Sequence, residues 1–130
     1  MTDAVVAAAR AALANAHAPY SRFRVGAALE AEDGRVFVGA NVENASYGLT
    51  NCAERVALGA AVVAGARRFR RIVVVTESNP PAAPCGACRQ ALAEFGLDTV
   101  VEAVGDTQVR HWRLGDLLPD AFGPADLESG

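Results

Sequence analysis

The chain has 130 residues, of which 52% are hydrophobic and 21% are charged, so it is long enough to bury the core of one domain without disulfide support. Its formal net charge of −3 at pH 7 argues against a polyanionic partner such as nucleic acid. The longest apolar run, between Arg55 and Arg67, covers about half of the roughly 20 residues that cross a bilayer, so no membrane segment is expected.

The first third of the chain predicts a helix and a β-hairpin. Residues 3–16 place Val5, Ala9 and Leu13 at helical spacing behind Asp3, which can cap the first turn, and Pro19 follows the run. Residues 23–30 and 35–41 predict two strands on either side of a turn at 32–34.

The remainder alternates helices and strands. Residues 52–64 predict a helix, and the uninterrupted apolar run at 72–75 predicts a strand that is covered on both faces. After an irregular proline-rich segment, residues 86–95 predict a helix, and 99–104 and 108–112 predict two further strands.

Together these elements predict an α/β fold with a single domain over residues 1–130. A mixed sheet of about five strands lies between helices in a three-layer α-β-α sandwich. Residues 126–130 are expected to form a loose C-terminal end.

The cysteine content predicts a metal site. The chain has three cysteines, an odd number, and Cys85 and Cys88 are only three positions apart. This pattern suits a metal centre in a reducing compartment better than the disulfide framework of a secreted protein. The first residues lack the basic start and long apolar centre of a signal peptide, so the cytoplasm is the expected location.

Basic residues are concentrated between the second predicted helix and the strand that follows it. Arg67, Arg68, Arg70 and Arg71 form this cluster. A charge run at such a corner is usually solvated, so we interpret it as a surface corner and not as a nucleic-acid patch.

The three cysteines are expected to bind one zinc ion per subunit. Cys52 and Cys85 each stand at the start of a predicted helix, whose exposed N–H groups and dipole stabilise thiolates. Cys88 shares a helix face with Cys85 because it follows three positions later. Three protein ligands leave one position of a tetrahedral zinc open for a water, which is the arrangement of a catalytic zinc.

Charged residues next to the cysteines suit a water activated by zinc. Glu54 follows Cys52 by two positions, where its carboxylate can exchange a proton with that water without binding the metal. Three thiolates weaken zinc as a Lewis acid, so a guanidinium that withdraws charge from sulfur would restore the acidity of the water. Arg55 and Arg89 are the candidates, and Arg55 is favoured.

Two alternatives for the metal site stay open at this point. The pair Cys85 and Cys88 alone could be a redox dithiol, and His17 or His111 could close the site as a fourth ligand of a structural zinc. Both histidines have ordinary positions, one at the end of the first helix and one in the last strand. The combination of three cysteines, two helix starts and Glu54 favours a catalytic zinc.

Five segments carry a family resemblance that extends over nearly the whole chain. They are YSRFRVGAA at 20–28, NVENASY at 41–47, CAER at 52–55, PCGACRQ at 84–90 and LLPDAF at 117–122. In these segments the chain resembles the short, homotetrameric class of cytidine deaminases, which belong to a superfamily of zinc deaminases.

The resemblance implies a reaction and the residues for it. The three cysteines hold zinc, and Glu54 carries protons while hydroxide attacks C4 of cytidine or deoxycytidine, which gives uridine or deoxyuridine and ammonia. The expected role is salvage of pyrimidine nucleosides. The family's nucleoside-recognition motif falls on Asn41 and Glu43, which are two apart on an extended segment and can offer a donor and an acceptor to sugar hydroxyls.

The resemblance also implies aromatic contacts with the base and between subunits. Phe23 matches an aromatic residue that packs on the base, although its alternation with Val25 also fits core packing. Backbone groups of Ala53 are expected to recognise the base. Tyr47 and Phe122 resemble residues at a boundary between subunits, so a homotetramer with shared active sites is expected.

Two positions depart from the family pattern, and two rival functions remain. Asn51 stands where an aliphatic residue is usual and Ala83 where serine is common, which bears on loop packing more than on the reaction. The nearest rival is a deaminase of an aminonucleoside such as blasticidin S. The other is a zinc-stabilised binding module without catalysis, which would have no need of Glu54.

Overall fold

The structure, a computed structural model, describes residues 3–128, which contain five strands, five α-helices and a short 3-10 helix at Tyr47–Leu49. Every helix and strand predicted from the sequence is present, with ends that differ by at most three residues. The elements are, in chain order, α1 (Ala4–Leu13), β1 (Val25–Ala31), β2 (Val36–Ala40), α2 (Ala53–Val63), β3 (Phe69–Thr76), α3 (Gly86–Ala93), β4 (Val100–Val104), β5 (Val109–Arg113), α4 (Leu114–Leu117) and α5 (Pro124–Glu128).

The helices α4 and α5 were not expected, because four and five residues are too few to show a helical period. The predicted loose end at 126–130 overlaps α5 in its first three residues. Residues 129 and 130 lie outside the described residues, so the loose end stays a prediction. None of the helices in residues 3–128 has the length and apolar character that crossing a bilayer requires.

The strands form one mixed sheet in the order β2-β1-β3-β4-β5. β3 and β4 are parallel, and the other neighbours are antiparallel. A parallel pair needs a crossover connection, and α3 provides it between β3 and β4. The predicted mixed five-stranded sheet is confirmed.

Two layers of helices cover the central strand β3 on opposite faces. Ile72 and Val74 lie in the larger core cluster with residues of α2, α3 and α4. Val73 and Val75 lie in a second cluster with residues of α1. Because both faces are buried, β3 is an unbroken apolar run, and the predicted three-layer sandwich is confirmed.

The arginine cluster at 67–71 is occupied by intramolecular contacts. Arg71 forms ion pairs with Asp3, Glu30 and Glu102, with N–O distances of 2.7, 3.4 and 3.5 Å. The hydrogen bond from Arg71 lowers the pKa of Asp3 to about 2. The three other arginines of the cluster donate to backbone carbonyl oxygens, so the cluster supports the structure of this corner.

Helix α2 lies directly on the backbone of β2 at Gly39. A Cβ atom at this position would come within 2.4 Å of the Ala53 carbonyl oxygen and 2.5 Å of the Ala57 nitrogen. No side chain fits at such distances, so the glycine sets how closely the first turn of α2 approaches the sheet. That first turn carries Glu54.

Gly39→Ala is expected to lower the free energy of unfolding by about 1–3 kcal/mol, because α2 must move away from the sheet. Chemical denaturation of the purified variant measures this change. Gly59→Ala is the matched control, because Gly59 lies within α2 with no atom near an added Cβ. It should stabilise the protein by about 0.5–1 kcal/mol. Equal effects of the two substitutions would contradict the close approach at Gly39.

Candidate metal centre

Two helix N-termini bring the three cysteines together. Cys52 is the N-cap of α2, Cys85 is the N-cap of α3, and Cys88 lies in the first turn of α3. Their Sγ atoms all lie within 4.8 Å of one another, and Sγ of Cys85 is 3.6 Å from Sγ of Cys88 and 4.0 Å from Sγ of Cys52. Sulfur ligands of a tetrahedral zinc with bonds of about 2.3 Å lie about 3.8 Å apart. The three cysteines therefore fit one zinc ion.

The surroundings of the sulfur atoms favour a site with three protein ligands. Among residues 3–128, the group of His, Cys, Asp and Glu side chains close enough to share an ion consists of the three cysteines. His111 is instead paired with Glu102 at 2.9 Å in the neighbouring strands. A third sulfur beside Cys85 and Cys88 favours a metal over an isolated redox dithiol.

Glu54 is a buried carboxyl group next to the sulfur cluster. It lies in the first turn of α2, is only 5% exposed, and lines a cavity together with Cys52 and Cys85. Burial raises the pKa of Glu54, and the charge of Cys52 raises it further. A carboxyl group in this setting accepts a proton more readily than one in water.

Arg55 contacts the sulfur cluster, whereas Arg89 does not. The Nη2 of Arg55 donates to Sγ of Cys52 at 3.5 Å. A hydrogen bond from Cys88 and then the Arg55 guanidinium lower the pKa of Cys52 to about 5. Arg89 instead donates to the carbonyl oxygens of Pro84 at 2.7 Å and Leu117 at 3.0 Å, and so ties the start of α3 to the end of α4.

A cavity of about 310 Å³ opens beside the sulfur atoms. Four of the predicted substrate or catalytic residues line it, namely Phe23, Asn41, Ala53 and Glu54. Glu43, Tyr47 and Phe122 do not line it. The complete lining consists of Ser21, Phe23, Val25, Asn41, Thr50, Asn51, Cys52, Ala53, Glu54, Val74, Thr76, Ala82, Ala83 and Cys85.

Asn41 connects the cavity wall to the backbone of β1 and the segment before it. Its Nδ2 donates to the Phe23 carbonyl oxygen at 2.8 Å, and its Oδ1 accepts from the Val25 N–H at 2.9 Å. The Nδ2 group and the Oδ1 atom can each form one further hydrogen bond, so one Asn41 N–H and one acceptor position remain.

Glu43 lies in a depression next to the cavity. Tyr20, Ser21, Glu43, Tyr47 and Thr50 line this depression, and Ser21 and Thr50 line the cavity as well. The two spaces are therefore neighbours, but the structure does not place Glu43 in the wall beside Glu54.

The two aromatic residues predicted at subunit boundaries lie on the surface. Tyr47 is 75% exposed and meets Tyr20 edge to face, with ring centroids 6.0 Å apart. Phe122 is 57% exposed, and its carbonyl oxygen accepts from Nε2 of Gln90 at 2.8 Å. Neither side chain belongs to a hydrophobic core cluster of residues 3–128.

Several cavity residues were not expected from the sequence. Val74 and Thr76 line the cavity at the end of β3. The sequence pattern around Phe23 gave no information about this strand, which lies about fifty residues later in the chain. Asn51 and Ala83, interpreted as a matter of loop packing, also belong to the cavity wall. Proximity to the cysteine motifs was the available signal for both.

Comparison with known proteins matches most of this chain to cytidine deaminases. The family model for the cytidine and deoxycytidylate deaminase zinc-binding region matches residues 1–104. A cytidine deaminase of Sporosarcina psychrophila is 43% identical over 127 residues, which are 96% of this chain and 93% of that protein. A cytidine deaminase of Mycobacterium tuberculosis is 51% identical over 116 residues, 89% and 85% of the two chains.

Solved structures agree with these sequence matches. The crystal structure of cytidine deaminase from Burkholderia pseudomallei superposes with a TM-score of 0.89 at 55% identity and covers 94% of this chain and 100% of its own. The cytidine deaminase structure from Mycobacterium tuberculosis gives a TM-score of 0.80 at 45% identity, over 92% and 95% of the two chains.

Arg55→Gln is expected to weaken zinc binding by about tenfold, because the thiolate of Cys52 loses its charged hydrogen-bond donor. Competition with a chromogenic chelator measures zinc affinity without any substrate. Arg55→Lys should recover part of the loss because it keeps the charge. Unchanged zinc affinity in Arg55→Gln would contradict a role for this contact.

Proposed function

The chain belongs to the family of zinc-dependent cytidine deaminases, and we propose that it hydrolyses cytidine and deoxycytidine in the cavity between Phe23 and Cys52. The predicted family resemblance is confirmed by the family model and by the relatives. The observation that carries the proposal is a buried Glu54 beside three sulfur atoms in one cavity. The products are uridine or deoxyuridine and ammonia.

Glu54 is the proton carrier of the proposed reaction. Zinc, when bound by the three cysteines, supplies the Lewis acidity that makes a water nucleophilic near neutral pH. The Glu54 carboxylate takes one proton from the attacking water and delivers it to the ring nitrogen. It then takes the second proton of the same oxygen, now bonded to C4, and delivers it to the amine, which leaves as ammonia. Its burial supports this role, because a raised pKa lets the group both accept and return a proton.

Groups around the cavity suit the base and the sugar of a nucleoside. The Phe23 ring provides an apolar surface for a planar base. Ala53 is the first residue of α2, so its N–H has no partner inside the helix and is available to a carbonyl oxygen. Asn41 retains one donor, and Glu43, which accepts three hydrogen bonds, retains one acceptor position for sugar hydroxyls.

We further propose a homotetramer in which neighbouring subunits complete each cavity. The support is the exposure of Tyr47 and Phe122, large aromatic residues that the described part of their own chain leaves uncovered.

The acidic net charge and the internally paired arginine cluster suit a small nucleoside better than nucleic acid. The proposed setting is pyrimidine nucleoside salvage in the cytoplasm.

Glu54→Gln is expected to lower kcat by at least about 100-fold while zinc content and folding stay unchanged, because the amide cannot carry the proton. Ammonia release from cytidine, deoxycytidine, cytosine and blasticidin S measures activity and substrate class together. Glu94→Gln is the matched control, since Glu94 is an exposed glutamate at the end of α3.

Three results of this experiment would contradict the proposal. Full activity in Glu54→Gln would exclude Glu54 as the proton carrier. Release of ammonia from neither nucleoside by the native protein would contradict the function itself. Release from blasticidin S alone would favour the rival aminonucleoside deaminase.

Phe122→Ala is expected to shift the assembly towards smaller species and to lower kcat/KM by about tenfold or more, because an interface aromatic is lost. Light scattering coupled to gel filtration measures the mass, and the ammonia assay measures activity in the same fractions. Leu127→Ala is the control, because Leu127 is an apolar residue of α5 that is 76% exposed. A fully active monomer of the native protein would contradict shared active sites.

A further inference from the structure

The segment that carries Phe23 has an unusual backbone. Arg22 has a φ of +59°, a left-handed conformation that is uncommon for residues other than glycine. Its N–H donates to the Ala18 carbonyl oxygen at 3.0 Å, which makes residues 18–22 a tight turn. This conformation costs a residue other than glycine roughly 1 kcal/mol or more, so other contacts must hold the turn.

Glu43 holds this turn from the outside. Its Oε1 accepts from the N–H groups of Tyr20 at 3.0 Å and Ser21 at 3.1 Å, and its Oε2 accepts from the Ser21 hydroxyl. The hydrogen bond from the Ser21 hydroxyl is the main cause that lowers the pKa of Glu43. Three donors from two consecutive residues therefore converge on one carboxylate.

The Ser21 hydroxyl continues this chain of bonds to Phe23. Its Oγ accepts from the Phe23 N–H at 3.0 Å while its hydrogen is donated to Glu43. On the other side of Phe23, Asn41 binds the Phe23 carbonyl oxygen and the Val25 N–H. Both peptide groups of Phe23 are thus fixed by side chains, one through Ser21 and one through Asn41.

We infer that Ser21 is a positioning residue for the deaminase reaction: it links the Glu43 carboxylate to the Phe23 backbone and so fixes the Phe23 ring in the cavity wall. The inference rests on the proposed function, in which Phe23 packs on the base. Glu43 and Asn41 acquire a second task beside sugar binding, since their bonds hold the segment that carries the ring. A preorganised ring binds the base without a further loss of conformational freedom.

Ser21→Ala removes the link and leaves the peptide chain otherwise unchanged. Loss of the two hydrogen bonds of the Ser21 hydroxyl, one donated to Glu43 and one accepted from the Phe23 N–H, is expected to lower kcat/KM for cytidine about five- to tenfold, mainly through a higher KM. Ser21→Thr keeps a hydroxyl at the same position and should retain most of the native value. Ser46→Ala is the matched control, because Ser46 is exposed and its side chain makes no capping bond at the 3-10 turn Tyr47–Leu49.

A double-mutant cycle with Phe23→Ala separates positioning from a general loss of structure. If Ser21 acts through Phe23, Ser21→Ala should have little further effect on kcat/KM once the ring is gone. Zinc content and the midpoint of thermal unfolding, measured on the same samples, should stay near the native values in Ser21→Ala. An unchanged KM in Ser21→Ala would overturn the inference. So would a double variant whose kcat/KM falls by the product of the factors that the two single substitutions cause.

Failure of the proposed function has a different outcome in the same assay. If the native protein releases no ammonia from cytidine or deoxycytidine, the deaminase function is wrong, and the positioning role falls with it. If the native protein is active and Ser21→Ala matches it, the positioning role alone is wrong.

Discussion

The packing of helix α2 across the sheet is the constraint on which the metal centre depends. Gly39 lets the backbone of α2 lie directly on β2, and this contact fixes the position of the first turn. The other cysteine helix, α3, starts in the crossover that follows β3. Both N-termini meet near the carboxyl end of β3, where Thr76 and Val74 form part of the cavity wall. Open α/β sheets bind ligands at this edge because loops and helix starts converge there.

The electrostatics of the site follow from this convergence. Three thiolates close together are stable only if positive charge or a metal ion is near. The two helix N-termini and Arg55 supply part of this positive charge. Glu54 adds a fourth acidic group in the same place, and its burial raises its pKa. A group that is easily protonated and a set of sulfurs that bind a cation are therefore compatible in one small cavity.

The outer side of the cavity is held by a different set of interactions. Polar side chains of Glu43, Ser21 and Asn41 hold the turn at residues 18–22 and Phe23, which follows it. Tyr20, which belongs to this turn, pairs with Tyr47 on the surface, and Tyr47 is largely exposed. The cavity thus has an inner wall that belongs to the sheet and helices, and an outer side with hydrogen-bonded polar side chains and exposed aromatic rings. Such an outer side suits completion by a second subunit.

Much of the fold and of the metal centre could be predicted from the sequence, because both depend on local patterns. The apolar run at 72–75 indicated a doubly covered strand, and the spacing of Cys85 and Cys88 at a helix start indicated a shared ligand face. The short helices α4 and α5 escaped prediction because so few residues show no period. Asn51 and Ala83 were interpreted only as loop packing, because a sequence does not show which side of a loop faces a cavity.

The sequence by itself determined the chemistry: three sulfur ligands, one adjacent carboxylate and the α/β fold that brings helix starts together. Only the tertiary structure decided which neighbours act on these groups. In the folded chain Arg55 donates to Cys52, whereas Arg89 donates to backbone carbonyl oxygens, although each arginine directly follows a site residue in the sequence. The tertiary structure also tied Glu43 to Ser21 and Phe23 across about twenty positions. The physical reason is that helix and strand periods fix local direction, whereas contacts between distant segments depend on how the layers pack.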